Sequence, residues 1–100
     1  MNLNEASQKA LEIAEKRGIH ETTFEALKHC AGEVLEAVDA YDNWSMLDNP
    51  QGKKEEFENE LADVIICILS ISGAERIDIE QAISRKMLIN EGRAKNDSKK

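Results

Sequence analysis

Four acids mark where this chain could do chemistry. Glu33 and Glu36 stand three residues apart in GEVLEA, and Glu60 and Asp63 repeat that spacing in ELADVI. Spacing alone is weak evidence in a chain with 20 Asp and Glu, since Glu12/Glu15, Glu55/Glu58 and Glu75/Asp78 are spaced the same way and read as solvated faces. Placement separates the two pairs from the rest. On a helical wheel Glu33 falls on a stripe of small residues, Ala26, Cys30, Ala37 and Ala40, away from the polar face carrying Glu25, Lys28 and Asp39. Glu60 and Asp63 head a stripe that continues through Cys67, Ile71 and Ala74 in the most apolar segment of the chain. An antiparallel hairpin centred on Asp48 would set Glu36 against Glu60, Glu33 against Asp63 and Cys30 beside Cys67. Carboxylates gathered on one seam at low dielectric must take up protons or a cation. An oxygen-only donor set with no required histidine points to Mg²⁺, with Mn²⁺ as a possible substitute, over zinc.

The elements that would position these acids are legible as four helices. Asn4 to Lys16 is a short amphipathic helix with Ala6, Ala10, Leu11, Ile13 and Ala14 toward the core and Gly18 as its stop. The second helix opens with a capping box, Thr22 and Glu25, and carries an apolar stripe, Phe24, Leu27, Ala31, Val34, Val38 and Tyr41, in a strict three-four repeat. NWSMLDNPQG, Asn43 to Gly52, is dense in turn formers and reverses the chain. A third helix is expected from about Lys54 to Ser72, ended by Gly73. From Leu61 to Ile71 it is apolar almost all round, which short companions in one small chain can hardly cover, so a second subunit is expected on it, most simply through a two-fold axis. Asp78 with Gln81 caps a last helix, Ile79 to about Arg93. The expectation is therefore all-α: one four-helix domain over residues 1–95, a central antiparallel acidic hairpin, and a polar, frayed tail over 96–100.

Composition narrows the function. With 41% hydrophobic residues, few aromatics and one proline, 100 residues make one small helical domain. A formal charge of −7 argues against a nucleic-acid polymer as partner, which needs a basic face. No apolar run approaches the roughly 18 to 20 residues of a membrane span, and the N-terminus lacks a signal-peptide pattern, so a cytoplasmic location without membrane association is expected. The two cysteines lack CxxC spacing and read as small buried hydrophobes.

GEVLEA followed by ELADVI resembles the ExxE and ExxD motifs of the MazG-like all-α nucleoside triphosphate pyrophosphohydrolases, and KMLINEGR, with Lys86, Asn90 and Arg93, is similar to the close of that family's last helix. The likeness covers roughly Phe24 to Arg93. It implies Mg²⁺-dependent hydrolysis of a nucleoside triphosphate to the monophosphate plus pyrophosphate, in a homodimer or homotetramer. It also implies that Glu33, Glu36, Glu60 and Asp63 are metal ligands, one of them free to act as base, and that Lys86, Asn90 and Arg93 hold phosphate or ribose oxygens. Gly32 and Leu35 depart from a Glu and a Gly common in the family.

Independently of the resemblance, Ile79, Ile83, Lys86, Asn90 and Arg93 lie on one helical stripe whose cationic half could offset phosphate charge. Trp44 has two readings, a platform for a nucleobase or a lid over the hairpin core. His29, one turn before Glu33, is a candidate fifth ligand against the commoner surface imidazole. Lys53 and Lys54 stand where they could meet pyrophosphate or simply stay solvated. The rival function is a non-catalytic helical dimer whose acidic seam holds a structural cation, acting as a partner-binding adaptor. Pool control and house-cleaning of non-standard nucleotides both remain open, as does the base.

Overall fold

A computed structural model of the chain describes residues 1–45 and 53–98. They form α1 (Leu3–Lys16), α2 (Thr23–Ser45), α3 (Lys54–Ala74) and α4 (Ile79–Ser98). The expected reversal over Asn43 to Gly52 falls largely outside the described residues, and Asn43, Trp44 and Ser45 are instead the last turn of α2.

The helix starts follow from local chemistry. Asn2 caps α1 by accepting from the Glu5 amide at 2.8 Å. At α2 the Thr22 hydroxyl accepts from the Glu25 amide at 3.1 Å while the Glu25 carboxylate accepts from the Thr22 amide at 3.0 Å, a reciprocal box that satisfies two amides of the first turn. Asp78 caps α4 through the Gln81 amide at 3.1 Å. Gly18, at φ 72°, closes α1 in the left-handed region as expected.

The third helix ends differently. α3 runs through Gly73 to Ala74, and the left-handed residue after it is Arg76, at φ 56°. Gly73 is instead a close-approach position: a Cβ there would meet the Ser7 carbonyl oxygen at 2.8 Å and Leu11 Cβ at 3.3 Å, so its missing side chain lets α1 lie on α3. Ser7, Ser72 and Leu69 are buried at that crossing. α4 also runs past the expected Arg93, with residues 96–98 helical where a frayed tail was expected.

α2 and α3 pack side by side and α1 crosses α3, while α4 leans on α1 mainly through its first turns. There Asn4 ties the two ends of the chain together. Its side-chain amide donates to Asp78 at 2.9 Å, its oxygen accepts from the Ile79 amide at 3.1 Å, and its own amide donates to Glu80 at 3.2 Å.

The inside face of α2 is the one the expected hairpin register sets against α3. The small stripe is inward, with Cys30 and Ala37 buried, whereas Phe24, Leu27, Val34, Val38 and Tyr41 are exposed in the single chain. Nor is α3 covered all round, since Leu61, Ile65, Ile66 and Ile68 also face solvent. Small side chains let two helices approach closely, and the large residues are left on the outside of the hairpin. The chain exposes 7817 Å², against about 5,700 Å² expected of a compact monomer of its mass. Its radius of gyration is 16.7 Å, against about 13 Å for a compact chain of this length. Among the described residues, no helix is long and apolar enough to cross a membrane.

Candidate functional site

The acidic seam lies between α2 and α3. The inward small stripe of α2 brings Glu33 and Glu36 to the face of α3 that carries Glu60, and carboxylate oxygens of these three lie within 4.8 Å of one another. Glu36 is hydrogen-bonded to Glu60, and the Cys30 and Cys67 thiols are hydrogen-bonded to each other one to two turns away, an antiparallel register. Asp63 lies close enough for its charge to act on both Glu60 and Cys67.

Electrostatics mark Glu60 as the most stressed member. Desolvation, then the charges of Glu36, Asp63 and Glu33, hold its carboxyl above the usual carboxylate range, where a proton serves the hydrogen bond with Glu36. Its Oε2 is fully buried without a hydrogen-bond partner. A buried carboxylate oxygen left unpaired is costly, and a cation is the partner that would satisfy it while relieving the repulsion. The donor set therefore fits a hard divalent ion.

Glu33 is held from the other side by His29, whose Nε2 is 3.1 Å from Glu33 Oε1, while His29 Nδ1 is 3.2 Å from Glu21 Oε1. The hydrogen bond with Glu21 is the main cause that raises the His29 pKa above its ordinary value. Burial, followed by the neighbouring Cys30, pushes the Cys67 thiol up to about 12, so it keeps its proton. Sequence periodicity placed His29 near Glu33, but Glu21 precedes the helix and no spacing rule relates it to His29.

Two hollows flank the seam. A groove of about 320 Å³ between α1, α2 and α3 has an apolar floor that includes Leu11, Ala14 and Ile71, with Glu33, Asp63 and Arg17 on its walls. A shallower hollow of about 340 Å³, lined by Glu36, Asp39, Glu56 and Glu60, opens on the other side.

The remaining candidates lie apart. Lys86, Asn90 and Arg93 are exposed on α4, which packs mainly on α1, so the single chain does not bring them to the acids. Trp44, placed by sequence in a turn, sits on α2 and stacks on Phe57 with ring centres 5.8 Å apart and planes 18° apart. Tyr41 completes the cluster at 5.3 Å from Phe57, and Lys54 Nζ lies 6.0 Å from the Trp44 ring. One face of the Trp44 ring is thus taken by Phe57 within the single chain.

No curated protein and no solved structure matches the chain. A family model does, over residues 19–96: the MazG nucleotide pyrophosphohydrolase domain.

Proposed function

The chain belongs to the MazG nucleotide pyrophosphohydrolase domain family, and from that premise we propose that it hydrolyses a nucleoside triphosphate or its deoxy form to the monophosphate and pyrophosphate in a Mg²⁺-dependent reaction. The observation that carries this reading is the acidic seam: three carboxylates within 4.8 Å, one with a buried, unpartnered oxygen. Of the four candidate ligands, Glu33, Glu36 and Glu60 would hold Mg²⁺, or Mn²⁺ in its place, and Asp63 would be the one left free to act as base. When bound, the ion supplies charge neutralisation and a lowered pKa for attacking water.

The chain's own residues do the rest. His29 fixes the orientation of Glu33 through its 3.1 Å contact. The groove beside Glu33 and Asp63 is within the size range of small-molecule sites, and its apolar floor suits a nucleobase. Asp63 stands on its wall, where a carboxylate can take the proton of water as it attacks phosphorus. Positioning and charge neutralisation carry most of phosphoryl transfer, so no covalent nucleophile is needed.

Lys86, Asn90 and Arg93 would meet the phosphates from α4 of a second copy, in a homodimer or homotetramer. Two facts support that assembly: the exposed apolar faces of α2 and α3, and the distance of α4 from the seam of its own chain. The test of the site is Glu36→Gln and Asp63→Asn, assayed for nucleotide turnover with Mg²⁺ and checked for helix content by circular dichroism. Loss of turnover by at least about a hundredfold, with the fold kept, is expected. Full activity in both variants contradicts the assignment.

A further inference from the structure

Glu33 belongs to two donor clusters. Besides its place beside Glu36 and Glu60, it stands with His29 and Cys67 so that an imidazole nitrogen, a carboxylate oxygen and a thiol sulfur all lie within 4.8 Å of one another. The two sets differ in chemistry. The first is oxygen only and suits a hard ion, whereas the second offers nitrogen, sulfur and oxygen, the donor types of four-coordinate zinc sites.

The surroundings of the second set are those of a metal site. His29 Nδ1 is engaged by Glu21 at 3.2 Å, which directs Nε2 toward Glu33. A carboxylate on the far nitrogen is the usual outer partner of a metal-bound imidazole, where it fixes ring orientation and raises basicity. Cys67 is a free thiol, with the Cys30 thiol hydrogen-bonded to it as a neighbouring sulfur. His29, Glu33 and Cys67 all line the 320 Å³ groove, so an ion has an entry path.

We propose that His29, Glu33 and Cys67 form a second, thiophilic cation site that binds Zn²⁺ or a similar borderline ion and, by drawing Glu33 away from the hard-metal seam, inhibits the enzyme. Binding replaces the Cys67 S–H bond with a metal–sulfur bond and releases that proton to solvent; no electrons are transferred. Three protein ligands leave a fourth position for water or for the Cys30 thiol. Mg²⁺, which seeks oxygen donors, does not take up the nitrogen and sulfur ligands here and opposes the second ion only through the shared Glu33. The inhibition rests on the proposed catalytic reading, whereas the binding site does not.

The test uses Co²⁺ as a coloured stand-in for Zn²⁺, added to the reduced full chain in mildly alkaline buffer without nucleotide. The expected result is a saturable near-ultraviolet sulfur-to-cobalt charge-transfer band that Zn²⁺ bleaches. Cys67→Ser should abolish the band, Glu36→Gln should keep it, and Glu21→Gln should weaken Co²⁺ affinity by about tenfold. Should Cys67→Ser fail to fold, His29→Asn serves instead, with the same loss expected. A folded wild-type chain without the band, or a band that survives in folded Cys67→Ser, overturns the site. Nucleotide turnover in Mg²⁺ is then measured with added Zn²⁺: inhibition in the wild type that is relieved in Cys67→Ser supports the shared-ligand mechanism. Zn²⁺ binding that leaves turnover unchanged overturns it. A chain that binds Co²⁺ through Cys67 yet hydrolyses no nucleotide would refute the catalytic reading while keeping the metal site.

Discussion

Glu60 carries the electrostatic stress of the seam, and its effect on stability has a definite sign. Its folded pKa is raised by desolvation and then by the three neighbouring acids. The resulting destabilisation is therefore complete above the folded pKa and fades as pH falls through it toward the unfolded value. Glu60→Gln keeps the shape and removes the charge, so at neutral pH in EDTA the variant should melt at a higher temperature than the wild type. The advantage should shrink in acid, and Mg²⁺ should raise the wild-type melting temperature more than the variant's. Thermal melts with and without metal check this, and a variant that melts lower in EDTA would contradict it. The acids themselves were legible in sequence because their i, i+3 spacing on a small-residue stripe could be compared across two helices. The Glu21–His29–Glu33 chain was not, because Glu21 lies outside the helical period.

At the scale of elements, local signals were read correctly and long-range ones only in part: the register of α2 against α3 was legible, the contact of α1 with α3 was not. Thr22 with Glu25 and Asp78 with Gln81 act within one turn, so the capping chemistry could be read from four adjacent residues. Gly73 was read as a stop signal because nothing in its neighbourhood announces Ser7, far away in the chain. The small stripe of α2 that faces α3 was legible from the paired positions of Glu36 with Glu60 and Cys30 with Cys67, whereas the exposure of the large stripe in the single chain was not, because nothing local says whether large residues find cover within one chain. The Asn4–Asp78 clasp joins two helices across nearly the whole sequence and carries a pH signature. The hydrogen bond from Asn4, followed by that from the Gln81 amide, holds the Asp78 carboxyl below its ordinary value. The stabilisation is therefore present above the unfolded pKa and lost as pH falls through the folded one. Asp78→Ala should lower stability to urea at neutral pH, and the gap from the wild type should close in strong acid. A gap that stays constant with pH would contradict the charge-dependent cap.

At the scale of the molecule, the excess surface and the outward apolar stripes are the ground for the proposed assembly. Leu27, Val34 and Val38 on α2 and Leu61, Ile65 and Ile68 on α3 are too many large exposed residues for a solitary chain of this size. Sedimentation should therefore give a dimer or tetramer, and Val38→Glu should shift it to a smaller species with reduced turnover. A wild-type chain that sediments as a folded monomer would contradict the assembly. The all-round apolar character of α3, and with it the ground for expecting a partner, was legible in sequence, whereas the exposure of the larger stripe of α2 was not. The proposed reaction is tested most directly by its products. The protein is incubated with common and modified nucleoside triphosphates, with Mg²⁺ or with excess EDTA, and the products are resolved by anion-exchange chromatography. Monophosphate and pyrophosphate are expected from at least one substrate in Mg²⁺ and none in EDTA. Diphosphate and phosphate, or no turnover across the panel by folded, metal-loaded protein, would contradict it.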